Sequence, residues 1–276
     1  MIYLSLPLLY ENKLFNNYID QFISLNPDKA KIPMKIEYLH GSYPWSLWNG
    51  GSNSNYGNAV LYNEMQDIVK NTSSPHAVDC SNIYLNDSDL SDIHQNIILE
   101  IESNTGAAFE VSDLKLYNYI KDHYPDAEFI FSNKAELFNT FNEDIVEAII
   151  NNDDFNLIVL SDPMPNINKN KVSLLVSQKC YNCTRQKQLD CISAEQRNQY
   201  NFSGKTVYQN CNKLIYNQDF FAEMRLLSKE GYTHFWLGTP PSDINLLAFN
   251  INIIHNLIKP AYVVECITKF LDMERK

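Results

Sequence analysis

Eight short apolar runs, most of them separated by longer stretches with helical spacing, constrain this chain more than any other feature. The runs occupy residues 2–9, 35–39, 77–80, 107–111, 128–131, 156–160, 172–176 and 233–237. Residues 13–25, 58–70, 88–103, 112–123, 143–151, 218–229, 244–258 and 261–273 read as amphipathic or buried helices. Runs this short and this evenly apolar are what parallel strands look like when both faces are covered. Eight of them in 276 residues predict an α/β fold of TIM type, a (β/α)8 barrel irregular in places, for which about 250 residues is usual. A doubly wound open sheet explains the length less well.

The apolar content, 45% of residues, is enough for one large core. With no Gly/Ser linker and no long charge run, the reading is a single domain over 1–276 with a cysteine-rich insertion at about 177–215. No run approaches the roughly 20 apolar residues of a membrane-spanning helix, so no membrane partner is expected. The opening MIYLSLPLLYENK lacks a basic n-region and a cleavage site; it reads as a first strand, and the expected location is the cytoplasm. A net charge of −11 argues against bulk nucleic-acid binding. A local basic strip is expected from Lys171, Lys179, Arg185 and Lys187 near the cysteines.

Four of the six cysteines crowd together. Cys180, Cys183, Cys191 and Cys211 start directly after the run at 172–176, where a barrel strand would end. A C-x2-C pair lets two thiolates reach one metal from a single turn, and two further cysteines complete a set of four soft ligands. The spacing matches neither a two-knuckle zinc finger nor a ferredoxin, so zinc and an iron–sulfur cluster both remain open. Cys80 and Cys266 stand alone and read as buried small apolar residues.

In a TIM-type barrel, chemistry sits where strands end and loops begin. Glu110, Ser132, Lys134 and Asp162 follow or end apolar runs and are the candidate acid/base residues. For Asp162, which precedes proline, a turn role weighs slightly more. The stretch HGSYPWSLWNGG after the second run reads as a binding loop, with His40, Ser42, Trp45, Trp48, Asn49, Gly50 and Gly51 as candidate substrate contacts. Packing of the tryptophans within the loop is the equal alternative. Asp92 and Asn96, one helical turn apart, read as solvated or capping, and no paired-histidine zinc helix or nucleophile elbow is present.

The order of these features resembles the collagenase-like peptidase family. AAFEVSDLKLYNYIKDHYPDAEFIFSNKAE looks like that family's strand, helix and strand with a terminal serine and lysine, and LLVSQKCYNC like its cysteine-bearing strand end. YTHFWLGTPPSD followed by LIKPAYVVECITKFL is similar to its last strand and helix. The resemblance implies a TIM barrel, a 4Fe-4S cluster on Cys180, Cys183, Cys191 and Cys211, and mouth positions for Glu110, Ser132 and Lys134. It further implies oxygen-independent hydroxylation or another redox step on a small biosynthetic intermediate or a nucleobase. The Gly-Ser-x-Cys and Gly-x-Cys arrangement of the family's proteases is absent, so a peptidase-like hydrolase is the lesser expectation. The alternative from another class is an accessory protein stabilised by structural zinc and serving a protein partner.

Overall fold

The computed structural model describes residues 1–7, 13–41, 48, 74–82, 85–90, 96, 98–100, 106–132, 143–180, 214–238 and 245–275. Ten strands lie among them: β1 (Ile2–Pro7), β2 (Met34–Gly41), β3 (His76–Cys80), β4 (Ala108–Val111), β5 (Glu128–Phe131), β6 (Phe155–Leu160), β7 (Val172–Val176), β8 (Gln178–Cys180), β9 (Leu214–Tyr216) and β10 (His234–Leu237). Strands β1 to β7 pair in sequence order, and β10 closes the ring between β7 and β1. Every pairing in the ring is parallel. The result is a closed eight-stranded barrel with helices between strands, consistent with the TIM-like barrel expected from the apolar runs.

The described helices are α1 (Lys13–Leu25), α2 (Asp87–Leu90), α3 (Leu114–His123), α4 (Glu143–Ile150), α5 (Phe220–Lys229), α6 (Leu246–Leu257) and α7 (Pro260–Glu274). Helix α1 buries Phe15, Tyr18, Ile19, Phe22 and Ile23, the spacing of one helical face. Three predicted helices start two residues later than their apolar pattern suggested, each behind a capping side chain: Asp113, Asp219 and Asn245. Asp113 accepts the Lys115 N–H at 2.6 Å and Asp219 the Ala222 N–H at 3.2 Å, so each caps the helix that follows. The helix expected at 58–70 lies outside the described residues. Strands β6 and β7 are joined by a loop whose helical content is the 3₁₀ segment Lys169–Lys171. No described helix is long and apolar enough to cross a membrane.

Alternation within each strand divides the apolar residues into two layers. Leu4, Leu6, Phe109, Val111, Phe129, Phe131, Phe235 and Leu237 join the cluster that includes the helices. A second cluster contains Tyr38, Ala77, Ala108, Ile130, Leu157, Val159 and Trp236, with Leu175 against it, and no helical residue. Contributed by seven of the eight ring strands, this cluster is the barrel interior. Ala77 and Ala108 are register partners, and two adjacent small side chains leave space for Tyr38 and Trp236. Below them, at the N-terminal end, Glu37 pairs with His234 at 2.9 Å, His234 stacks on Tyr3 at 4.7 Å, and Asn156 donates to Glu128 at 2.8 Å. Burial beside Glu128 and Glu37 pushes the Tyr38 phenol up to about 12.

Strands β8 and β9 were not anticipated. They form a separate antiparallel ribbon, with Cys180 opposite Leu214, between β7 and α5. The cysteine-rich segment thus leaves and re-enters the body of the protein on paired strands.

Candidate active site

The strand ends bring four polar side chains to the C-terminal mouth. On β3, Ala77 belongs to the interior cluster while Val78 and Cys80 belong to the outer one, so Asp79 faces inward. The same reasoning turns Glu110 inward on β4, between Phe109 and Val111. Asp79 and Glu110 are register partners, which sets their Cα atoms about 5 Å apart across two neighbouring strands. Glu110 is 5% exposed, and Ser132, one residue beyond β5, donates to its Oε1 at 2.6 Å. The Ser132 N–H extends the ladder to the Val111 carbonyl at 2.8 Å, which fixes the hydroxyl beside the carboxylate. Asp79 accepts both the backbone N–H of Ser81 at 3.1 Å and the Ser81 hydroxyl.

His40 lies near the end of β2, where it pairs in register with Pro7 and Ala77. Its ring stacks on Trp236 at 4.2 Å, and Nε2 lies 2.9 Å from the Leu237 carbonyl. A carbonyl only accepts, so Nε2 carries the proton and Nδ1 keeps a lone pair. Burial pushes the imidazole down to about 4, although the Leu237 carbonyl and the charge of Asp79 act the other way; nearby His76 adds to the lowering. At neutral pH the mouth therefore holds an uncharged imidazole beside two carboxyl groups.

Ser177 marks the place where the chain leaves the barrel. It is fully buried, its φ is +75°, and its hydroxyl has no hydrogen-bond partner among the described residues. Left-handed backbone is costly for a residue with a Cβ and persists where surrounding structure enforces it. Here the enforcing contact is the Asn217 N–H, which donates to the Ser177 carbonyl at 2.6 Å and closes the base of the β8–β9 ribbon. The segment carrying the cysteines is therefore rooted directly at the mouth.

The residues singled out from sequence fall into three groups. His40, Glu110 and Ser132 meet at the mouth. Trp48 and Asp162 sit elsewhere: Trp48 is wholly buried, donates its indole N–H to the Asp89 carbonyl at 3.0 Å and meets Tyr119 edge-on, while Asp162 is exposed on the turn after β6. Ser42, Trp45, Asn49, Gly50, Gly51, Lys134, Cys183, Cys191 and Cys211 lie outside the described residues, as does the side chain of Cys180. Asn96 accepts from the Tyr119 hydroxyl at 3.1 Å, and Cys80 and Cys266 are buried free thiols as expected. Among the described residues no group of three histidine, cysteine, aspartate or glutamate side chains is arranged to hold a metal. Sequence reasoning missed Asp79, Ser177 and Trp236. Strict alternation about Val78 was the signal for Asp79; nothing in the sequence marks the backbone of Ser177.

Compared with protein-family models, with curated proteins and with solved structures, the chain matches none.

Proposed function

We propose that this chain is a TIM-type (β/α)8-barrel enzyme, folded as one domain, that moves a proton on a small molecule held in its C-terminal mouth. The observation carrying this reading is the register pairing of Asp79 with Glu110, both inward at the strand ends. Two carboxyl groups on adjacent strands can divide removal and return of a proton between them. Ser132, hydrogen-bonded to Glu110, holds that carboxylate in one orientation, as a positioned base requires. Neutral His40 offers an acceptor without adding charge. The substrate class is a small biosynthetic intermediate or a nucleobase.

Cys180, Cys183, Cys191 and Cys211 are proposed as ligands of an iron–sulfur cluster, with zinc as the alternative. Four thiolates are a donor set suited to either. Cys183 lies three residues after Cys180, and Cys211 three before Leu214, the register partner of Cys180. A cluster would supply single electrons; a zinc ion with four thiolate ligands would contribute only to folding. The rooting of the ribbon at Ser177 and Asn217 supports a role at the mouth.

Two measurements test the proposal. Protein purified without oxygen is assayed for iron, acid-labile sulfide and zinc beside a Cys180→Ala, Cys183→Ala variant. Iron and sulfide lost together in the variant support the cluster, and zinc or no metal sinks the redox part. Separately, wild type and Glu110→Gln are incubated with a small-molecule cell extract, and masses that change are followed. Wild type should convert at least one compound, and the variant should do so about 10²- to 10⁴-fold more slowly. Equal rates in the two proteins would remove Glu110 from the chemistry.

A further inference from the structure

Two hydroxyls inside the barrel stand where aliphatic side chains would pack better. Ser5 lies between Leu4 and Leu6, which face the helices, so it points into the lumen. Ser173 lies between Val172 and Leu174 and points inward for the same reason. Both are fully buried, and among the described residues neither Oγ has a hydrogen-bond partner. Ser5 is the register partner of Trp236, and Ser173 that of His234, so the two hydroxyls flank β10 from either side. Buried hydroxyls without partners are destabilising, and such groups persist where water or a ligand satisfies them.

Across the lumen stand Asp79, Glu110 and Ser132 on β3 to β5. His40 lies over Trp236 and has no hydrogen-bond partner among the described residues besides the Leu237 carbonyl. Every charged side chain described at the strand ends is thus a carboxylate; no lysine or arginine is among the described side chains there. Such a wall repels phosphate and carboxylate ligands and accepts hydrogen bonds from N–H groups.

We infer that the lumen binds a small nitrogenous molecule bearing an amine or amidine, its N–H donors on Asp79 and Glu110 and its inner end against the hydroxyls of Ser5 and Ser173. This rests on the acid–base reading above and adds to it a ligand class and two binding residues. An amidine edge, as in cytosine, gives donors to a carboxylate and leaves a ring to reach past Trp236. The serines confer no stability on the empty protein, so their removal should affect binding alone.

Thermal unfolding of the full chain with millimolar cytosine, putrescine or inorganic phosphate tests this, on wild type, Asp79→Asn, Ser5→Ala and Ser173→Ala. Cytosine or putrescine should raise the wild-type melting temperature, and phosphate should not. Asp79→Asn should abolish the response. The two alanine variants should melt no lower than wild type when empty, yet bind the responding probe about three- to tenfold more weakly. A response to phosphate alone, no response to any probe, or alanine variants that lose stability and keep full binding would each overturn the inference. Failure of the catalytic reading is distinguishable: amine binding that persists while Glu110→Gln converts extract compounds as fast as wild type sinks only the proton chemistry.

Discussion

His40 is held neutral by burial, and this gives the protein an acid-sensitive element with a definite sign. Its folded-state value of about 4 lies below the ordinary 6.5, so the unfolded chain takes up this proton first as the pH falls. Stability contributed by keeping the ring neutral is complete above 6.5 and is lost progressively down to about 4. The span corresponds to on the order of 3 kcal/mol. His40→Gln keeps a nitrogen donor near Nε2 for the Leu237 carbonyl and cannot titrate. Denaturant unfolding at a series of pH values should show wild type losing about 3 kcal/mol more than the variant between pH 6.5 and 4. Parallel curves would mean that the ring titrates in the folded protein as it does in the unfolded chain. His40, Glu110 and Ser132 were legible in the sequence because each lies at or just past the end of an apolar run. Asp79 was not, since the Cys80 that follows extends the run and hides the inward carboxylate. Trp48 was misleading in a similar way: an aromatic in a polar loop suggests a ligand, but burial and the Asp89 carbonyl give it a packing partner.

At the scale of elements, strands were legible to within one or two residues because parallel strands buried on both sides leave an apolar signature independent of face. Helix starts fell within the same margin, and the two-residue slips occur where a capping side chain takes a first-turn N–H, which an apolar pattern does not reveal. Asp219 shows what the cap adds. It accepts from the Ala222 N–H, while the turn behind it is held by Asn256, whose Oδ1 accepts the Phe221 N–H at 3.1 Å and whose amide donates to the Gln218 carbonyl at 2.8 Å. Asp219→Ala should therefore cost about 1 kcal/mol, the usual loss for a cap, without displacing α5. Urea unfolding should show a lower midpoint with an unchanged slope; a changed slope would mean that the cap organises more than its own helix. The β8–β9 ribbon escaped detection because two three-residue strands carry too few side chains for a period.

The whole molecule depends on how its last helices return to its first. Ala30 and Ile258 form an antiparallel bridge, the Lys31 N–H donates to the Leu257 carbonyl at 2.8 Å and the Lys259 N–H to the Lys29 carbonyl at 2.9 Å. These bonds place α7 against α1, where Phe270 meets Phe15 edge-on at 5.2 Å and the Tyr18 hydroxyl donates to the Cys266 carbonyl at 2.8 Å. Helix α7 buries Val263, Cys266 and Phe270. At roughly 1.5–3 kcal/mol for each large side chain, and with the exposed face of α1 added, its removal costs about as much as the 5–15 kcal/mol by which domains are usually stable. A chain ending at residue 258 should thus retain helical far-ultraviolet signal but lose near-ultraviolet ellipticity and bind a hydrophobic dye, since α1 would have nothing to cover Phe15 and Tyr18. Phe270→Ala tests the same packing more gently; it should cost about 3–5 kcal/mol and remain cooperative. A shortened chain that unfolded in a single sharp transition would show that closure of β10 onto β1 suffices by itself. In that case the mouth residues Asp79, Glu110 and His40 would keep their geometry without α7, and ligand binding in the shortened chain would match that of the full one.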